Sequence, residues 1–191
     1  MKEAIPIQTG TVSVEAYIEL EERSEIRHEF INGNLIPMPG ATDFHNDICF
    51  NIKALLKQLL QGRDAWIYIE NVKVQITDQQ DYTYPDVFVT LDARDTNDRY
   101  IKRYPIAIFE VISKSSRIED SADKFIRYKN IESLRDYILV DSEKVFVELR
   151  SKQENGTWEA TTYFLSDERF PLPSLNIELP LFDIYEGVEV P

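Results

Sequence analysis

Cys49 is the single cysteine in a chain of 191 residues. That excludes an intramolecular disulfide and any zinc site built on several thiolates, and it fits a reducing, cytoplasmic setting. No apolar run approaches the roughly 20 residues that a bilayer-crossing helix needs, so no membrane partner is expected. Residues 1–10 lack the basic start and apolar block of a secretory signal. The sequence has no internal repeat, no low-complexity tract and no Pro/Gly/Ser-rich linker, so one domain over 1–191 is expected. It also lacks a phosphate-cradling Walker loop, a dinucleotide fingerprint and a sequence-reading DNA motif.

Positive charge is scarce as well. There are 21 Lys and Arg against 34 Asp and Glu, for a net charge of −13. A uniformly acidic surface would repel phosphate. The deficit is uneven, however. Residues 94–135 hold ten basic side chains against seven acidic ones, a local net of +3 that leaves −16 elsewhere. Two readings stand: a solvated face laced with ion pairs, or a local surface for an anionic substrate on an acidic body. The second makes Lys102, Arg103, Lys114 and Arg117 the nucleic-acid-binding candidates.

What is present is a clear α/β pattern. Ser13 is placed to cap a short helix through Val14, Tyr17, Ile18 and Leu20. Apolar runs at 28–31 and 35–38 flank Asn32-Gly33, whose tolerance of positive φ favours a tight hairpin. Ile48, Ile52, Leu55, Leu56 and Leu59 give 45–60 the stripe of a helix, with Gly62 suited to its end. The stretches 65–76, 85–91 and 105–112 are β-rich, and Pro85 and Pro105 stand where strands begin. A helix is predicted over 118–130, then strands at 136–140, 144–150, 157–165 and 175–179, with Asn155-Gly156 as another hairpin signal. Strand, helix, strand across 105–140 implies a parallel pair joined by a crossover; the earlier pair 85–91 and 105–112 can be antiparallel. The expectation is a mixed sheet flanked by helices.

Within 105–112, alternation puts Ile106, Ile108, Glu110 and Ile112 on one face and Ala107, Phe109 and Val111 on the other. Both faces are apolar, as in a central strand. Glu110 is the run's lone charge. A carboxylate there needs an ion pair, hydrogen bonds or a metal to offset its burial. Asp86 opens the preceding strand; an antiparallel hairpin centred near Asp98 would bring it level with Glu110, twelve residues to either side. Two oxygen ligands at one level suit a hard divalent cation such as Mg²⁺. The plainer alternatives are a salt-bridged Glu110 and a turn-forming Asp86. Asp120, Lys124 and Tyr128 recur every four residues on one helical face, which is also the pattern of an exposed Asp-to-Lys ion pair. His45, near a helix start, reads as a packing or capping residue.

Taken in order, these residues resemble the PD-(D/E)XK nuclease superfamily and, more narrowly, the bacterial Uma-type family of restriction-endonuclease-like proteins. The resemblance spans about 14–184. It rests on His28-Glu29-Phe30-Ile31-Asn32-Gly33, Met38-Pro39-Gly40 with His45-Asn46, Tyr84-Pro85-Asp86-Val87, Glu110-Val111-Ile112-Ser113, the Asp120, Lys124, Tyr128 set, and Asp136-Tyr137-Ile138-Leu139-Val140-Asp141. It implies a restriction-endonuclease-like α/β core, with a four-stranded mixed sheet flanked by helices, and Mg²⁺-assisted phosphodiester hydrolysis, with Mn²⁺ as a substitute. It implies that Asp86 and Glu110 hold the metal together with a carbonyl near Val111. The usual lysine position two after Glu110 is Ile112, and the resemblance moves the lysine to Lys124. Glu29 matches an acidic residue that approaches the same site, with Tyr128 and Asp120 as further supports. Asn34 and Lys114 depart from the family pattern, which has Glu and Pro there in many members.

The function expected is therefore a DNA endonuclease, with a homodimer as the arrangement that would allow two cuts in a duplex. The alternatives are a non-catalytic nucleic-acid-binding or scaffold protein retaining the fold, and a phosphoesterase acting on RNA or a small phosphodiester.

Overall fold

The computed structural model describes residues 12–38, 40–76, 80–113 and 118–189, with backbone only for 118–121. In chain order the elements are α1 (Val14–Arg23), β1 (His28–Ile31), β2 (Asn34–Pro37), α2 (Asp43–Leu59), β3 (Trp66–Ile69), β4 (Lys73–Ile76), β5 (Asp81–Thr83), β6 (Val87–Thr90), β7 (Ile101–Lys102), β8 (Pro105–Ile112), α3 (Ile118–Tyr128), β9 (Asp136–Asp141), β10 (Phe146–Lys152), β11 (Trp158–Phe164), β12 (Arg169–Leu172), β13 (Ile177–Pro180) and α4 (Leu181–Ile184).

The expected mixed sheet has six strands, in the order β11-β10-β9-β8-β6-β3. β8 and β9 run parallel with α3 as their crossover, while β6 lies antiparallel to β8. The two-sided apolar pattern becomes two cores. Val87, Val89, Ala107, Phe109, Val111, Ile138 and Val140 pack with Ile48, Ile52 and Leu56 of α2 and with β12, β13 and α4. The residues between them, Phe88, Ile108, Tyr137 and Leu139, pack with Tyr128 and Phe125 of α3 and with β4. Alternate residues therefore serve opposite helices, the period-2 geometry of a strand buried on both faces. Glu110 shares the parity of Ile108, so it projects toward α3.

The register matters most for the site. Val87 pairs with Phe109, Phe88 with Ile108 and Val89 with Ala107. Each pair is centred on position 98, the centre expected from sequence, and one step further sets Asp86 level with Glu110. The ladder slips only at its far end, between Val89 and Thr90.

A second sheet, in the order β2-β1-β5-β4-β7, carries the N-terminal part. Its hairpin turns at Asn32 and Gly33 with φ of 51° and 77°, the primed turn that suits the twist of antiparallel strands. Ser13 caps α1 by accepting from the Ala16 amide. Tyr17 of α1 stacks on Phe30 and packs beside Tyr82, forming a small third core.

Three readings change. The stretch 65–76 is not one strand: it breaks at Glu70 and Asn71, with φ of 40° and 41°, and sends β3 and β4 into different sheets. β-propensity alone could not mark that break, because Ile69 and Val72 on either side favour strand equally. β5 and β12 are short strands that sequence reading passed over, and β12 pairs with β13 as a separate hairpin. The predicted helix over 118–130 ends at Tyr128.

Candidate active site

Glu110 lies near the end of β8 with 3 % exposure, and both its oxygens are held. Lys124 Nζ donates to Oε2 at 2.8 Å, and Tyr128 Oη donates to Oε1 at 2.8 Å. Lys124 and Tyr128 are one turn apart on α3, so a single helical face grips one carboxylate. The expectation of a shared face is met by these two. Asp120 lies on the same helix, but its side chain falls outside the described residues. An exposed Asp-to-Lys pair does not describe Lys124, whose ammonium is spent on the buried Glu110 with 27 % of its side chain accessible.

Asp86, just before β6, stands at the end of the sheet. Its Oδ2 accepts from the Val111 amide at 2.7 Å, which ties it directly to the strand bearing Glu110. Its Oδ1 lies 3.3 Å from His45 Nε2, and its own carbonyl accepts from the Glu70 amide. Upstream, Tyr84 donates to the buried Glu21 at 2.7 Å, and Glu21 also accepts from the His28 amide and meets the His28 ring. That network anchors Tyr84-Pro85, and therefore the entry to Asp86.

Asp86, Glu110, Val111 and Lys124 line one cavity of about 600 Å³, together with His45, Tyr84, Arg27 and Glu70. The structure thus brings the expected trio to one place. Glu29 is 8 % exposed, and its Oε1 is buried without a hydrogen-bond partner among the described residues. Its charge is felt at Glu110, Lys124 and Tyr128.

The electrostatics follow from three carboxylates sharing one ammonium. Burial is the main cause that lifts the Glu110 pKa to about 7; Lys124 opposes the rise, while Asp86 and Glu29 add to it. Burial alone would lower the Lys124 pKa, but Glu110, Glu29 and Asp86 outweigh it and hold the ammonium charged. For His45, burial likewise opposes protonation, and Asp86, Glu70 and Glu110 turn the balance upward. This surplus of buried negative charge, with the bare Glu29 oxygen, fits a divalent cation chelated by oxygen. Asp86 and Glu110 would hold it, and the Val111 carbonyl lies on the same strand end.

The basic segment is corrected. Lys102 is 2 % exposed: its Nζ donates to the carbonyls of Asp95 and Asp98 and sits 4.6 Å from the centre of the Tyr68 ring. It is an internal tie and cannot face a nucleic acid. Arg103 bonds Gln75 at 2.8 Å and pairs with Asp98 at 3.5 Å. Arg94 is clamped to Asp92 and stacked on Tyr104, and Arg135 donates to the carbonyls of Glu132 and Leu134. With Lys124 on Glu110, ion pairs and carbonyls thus occupy five of the eight described basic side chains of 94–135, while Arg99 and Lys129 stay exposed. Lys114 and Arg117 lie outside the described residues. Sequence reasoning passed over Arg27 and Glu70; it quoted Tyr84 and His45 only within the motifs of the resemblance and read His45 as a packing or capping residue.

A mixed sheet between helices, with two carboxylates and a lysine gathered at one strand end, defines the restriction-endonuclease-like class of α/β fold. The model of the family Uma2, described as "Putative restriction endonuclease", matches residues 14–181, and the chain belongs to that family. Two uncharacterized proteins of Synechocystis sp. are similar. One, slr1290, is 35 % identical over 177 residues, covering 93 % of each chain. The other, sll1609, is 31 % identical over 155 residues, covering 80 % of this chain and 88 % of its own. A crystal structure from Anabaena variabilis, described as "a putative nuclease belonging to DUF820", shares the fold with a TM-score of 0.77. It is 17 % identical, with 93 % of this chain and 99 % of that chain covered. Among the described residues, no helix is long and apolar enough to cross a membrane.

Proposed function

We propose that the protein is an endonuclease hydrolysing phosphodiester bonds of DNA with Mg²⁺ or Mn²⁺. The observation that carries this is the clasp of Lys124 and Tyr128 on Glu110, level with Asp86 in one cavity. The family description and the fold shared with the Anabaena protein support it. When bound, the cation would lower the pKa of a coordinated water and offset charge on the phosphate.

The residues divide the remaining work. Asp86, fixed by the Val111 amide and facing His45, presents an oxygen to the cavity. Glu110 presents the second carboxylate, and Tyr128 keeps it oriented. Lys124 is the one described ammonium at the carboxylate pair; it can orient the attacking water or stabilise charge growing on the phosphoryl oxygens. Arg27, on the cavity wall, donates from Nη1 to the Glu21 carbonyl at 3.0 Å and lies 3.9 Å from the Glu21 carboxylate, which leaves the other face of its guanidinium for a phosphate.

A plasmid-nicking assay tests the reading. Cleavage should require Mg²⁺ or Mn²⁺, stop in chelator, and be lost in Asp86→Asn. Cleavage in chelator, or none with either ion in protein shown to be folded, would favour a scaffold that retains the fold.

A further inference from the structure

α2 carries His45 and Cys49 four residues apart, hence on one helical face. Asp86 approaches that face from the end of the sheet. One ligand atom from each of the three lies within 4.8 Å of the other two, and the His45 to Asp86 edge is 3.3 Å. From this triad we infer a second metal site, chemically distinct from the hard-ion pair of Asp86 and Glu110. It offers one imidazole, one cysteine sulfur and one carboxylate to Zn²⁺ or a similar borderline transition ion.

The dimensions suit that ion. Tetrahedral zinc takes sulfur at about 2.3 Å and nitrogen or oxygen at about 2.0–2.2 Å, so neighbouring ligand atoms sit roughly 3.3–3.8 Å apart. The shortest edge already has that length, and the longest must close by about 1 Å, within reach of side-chain rotation. The donor types suit it too. Sulfur and imidazole favour zinc-class ions, whereas Mg²⁺ takes oxygen and keeps its waters. Cys49 is fully buried in the core, and His45 and Asp86 line the cavity in front of it. An ion entering from the cavity would meet His45 and Asp86 at the wall and the Cys49 sulfur, within 4.8 Å of both, behind them, and keep its fourth position for water. The Cys49 thiol proton leaves to solvent as the sulfur–metal bond forms.

Asp86 belongs to both sites, and this has a regulatory consequence that rests on the proposed nuclease reading. An ion seated on His45, Cys49 and Asp86 withdraws Asp86 from Mg²⁺, so zinc acts as an off-switch. The site itself stands without that reading.

Cobalt titration tests the site directly. Cys49 is the chain's only cysteine, so a thiolate-to-cobalt charge-transfer band can come from nowhere else. Wild-type protein should develop that band with one equivalent of Co²⁺ and lose it on adding Zn²⁺. Cys49→Ala should show no band and bind Zn²⁺ at least about a hundredfold more weakly, more than is typical for loss of a group outside the ligand set. His45→Gln should weaken Zn²⁺ binding comparably while Cys49 remains. Circular dichroism and melting confirm that the variants fold, and Cys49→Val serves if the alanine leaves a damaging cavity. Co²⁺ binding to wild type without the band, or Zn²⁺ binding indifferent to both variants, overturns the site. Separately, Zn²⁺ should suppress Mg²⁺-dependent cleavage in wild type and far less in Cys49→Ala. If the band appears but no Mg²⁺-dependent cleavage exists, the metal site stands and the nuclease reading falls.

Discussion

Lys124 Nζ sits 2.8 Å from Glu110 Oε2, joining the middle of a crossover helix to the end of the strand before it. The resemblance expects a lysine at position 112, where Ile112 stands; under the proposed function the Lys124 ammonium on α3 takes that part. Lys124→Ala should lower cleavage by at least about two orders of magnitude, the scale of losing one preorganised charge-stabilising group. Lys124→Arg should restore little, because a planar fork does not reproduce a compact ammonium. Single-turnover cleavage rates measure both; a Lys124→Ala rate within tenfold of wild type would falsify the assignment.

Asp86 tests the metal. Asp86→Asn should abolish cation-dependent cleavage while leaving the melting temperature unchanged or raised, because it removes one of several crowded negative charges. Calorimetric Mg²⁺ or Mn²⁺ titration should lose its signal in parallel. Preserved cleavage with lost stability would make Asp86 a structural residue instead.

Tyr128 is a support, and its hydroxyl can be removed with little change in packing. The ring is buried against Tyr137 and its Oη serves Glu110. Tyr128→Phe should destabilise by about 2 kcal/mol, the scale of a hydrogen bond to a charged group. For a chain of this size that lowers the melting temperature by roughly 4–8 °C. Cleavage should fall less than in Lys124→Ala. An unchanged melting temperature would place the Glu110 carboxylate elsewhere.

Glu110 imposes a pH dependence on the metal-free protein. Burial raises its pKa from 4.5 to about 7, with Asp86, Glu29 and Lys124 the charges facing it. The folded state therefore binds its proton more tightly than the unfolded chain does. The stability it contributes is fully present below pH 4.5 and is lost as pH rises through about 7. Lys124 remains charged across that window. In chelator, the melting temperature of wild type minus that of Glu110→Gln should fall across the interval. A difference that rises there means the carboxylate is favoured as an ion.

Lys102 separates charge from function. Its ammonium satisfies the carbonyls of Asp95 and Asp98 in the loop leading to β8. Lys102→Ala should cost about 2–4 kcal/mol, because it leaves buried acceptors without a donor. DNA affinity per folded molecule, and its salt dependence, should not change. A shallower salt slope without loss of stability would return Lys102 to the surface.

Much of this architecture is legible from local pattern. The Ser13 cap, the Asn32-Gly33 hairpin, the stripe of α2 and the crossover from β8 through α3 to β9 each follow from spacing within a few turns or strands. A hairpin centred near Asp98 would set Asp86 level with Glu110, but local pattern does not choose that centre, and the pairing of β6 with β8 is what fixes it. The tertiary structure decided what each face meets. Spacing put Lys124 and Tyr128 together, but only the packing of α3 on the sheet turned them onto Glu110 instead of toward solvent. Packing also drew Lys102 inward to bare carbonyls, broke 65–76 between two sheets, and set His45 and Cys49 against Asp86. Those contacts run between different elements and loops, and burial selects them by satisfying charge and polar groups, a requirement that no local periodicity carries.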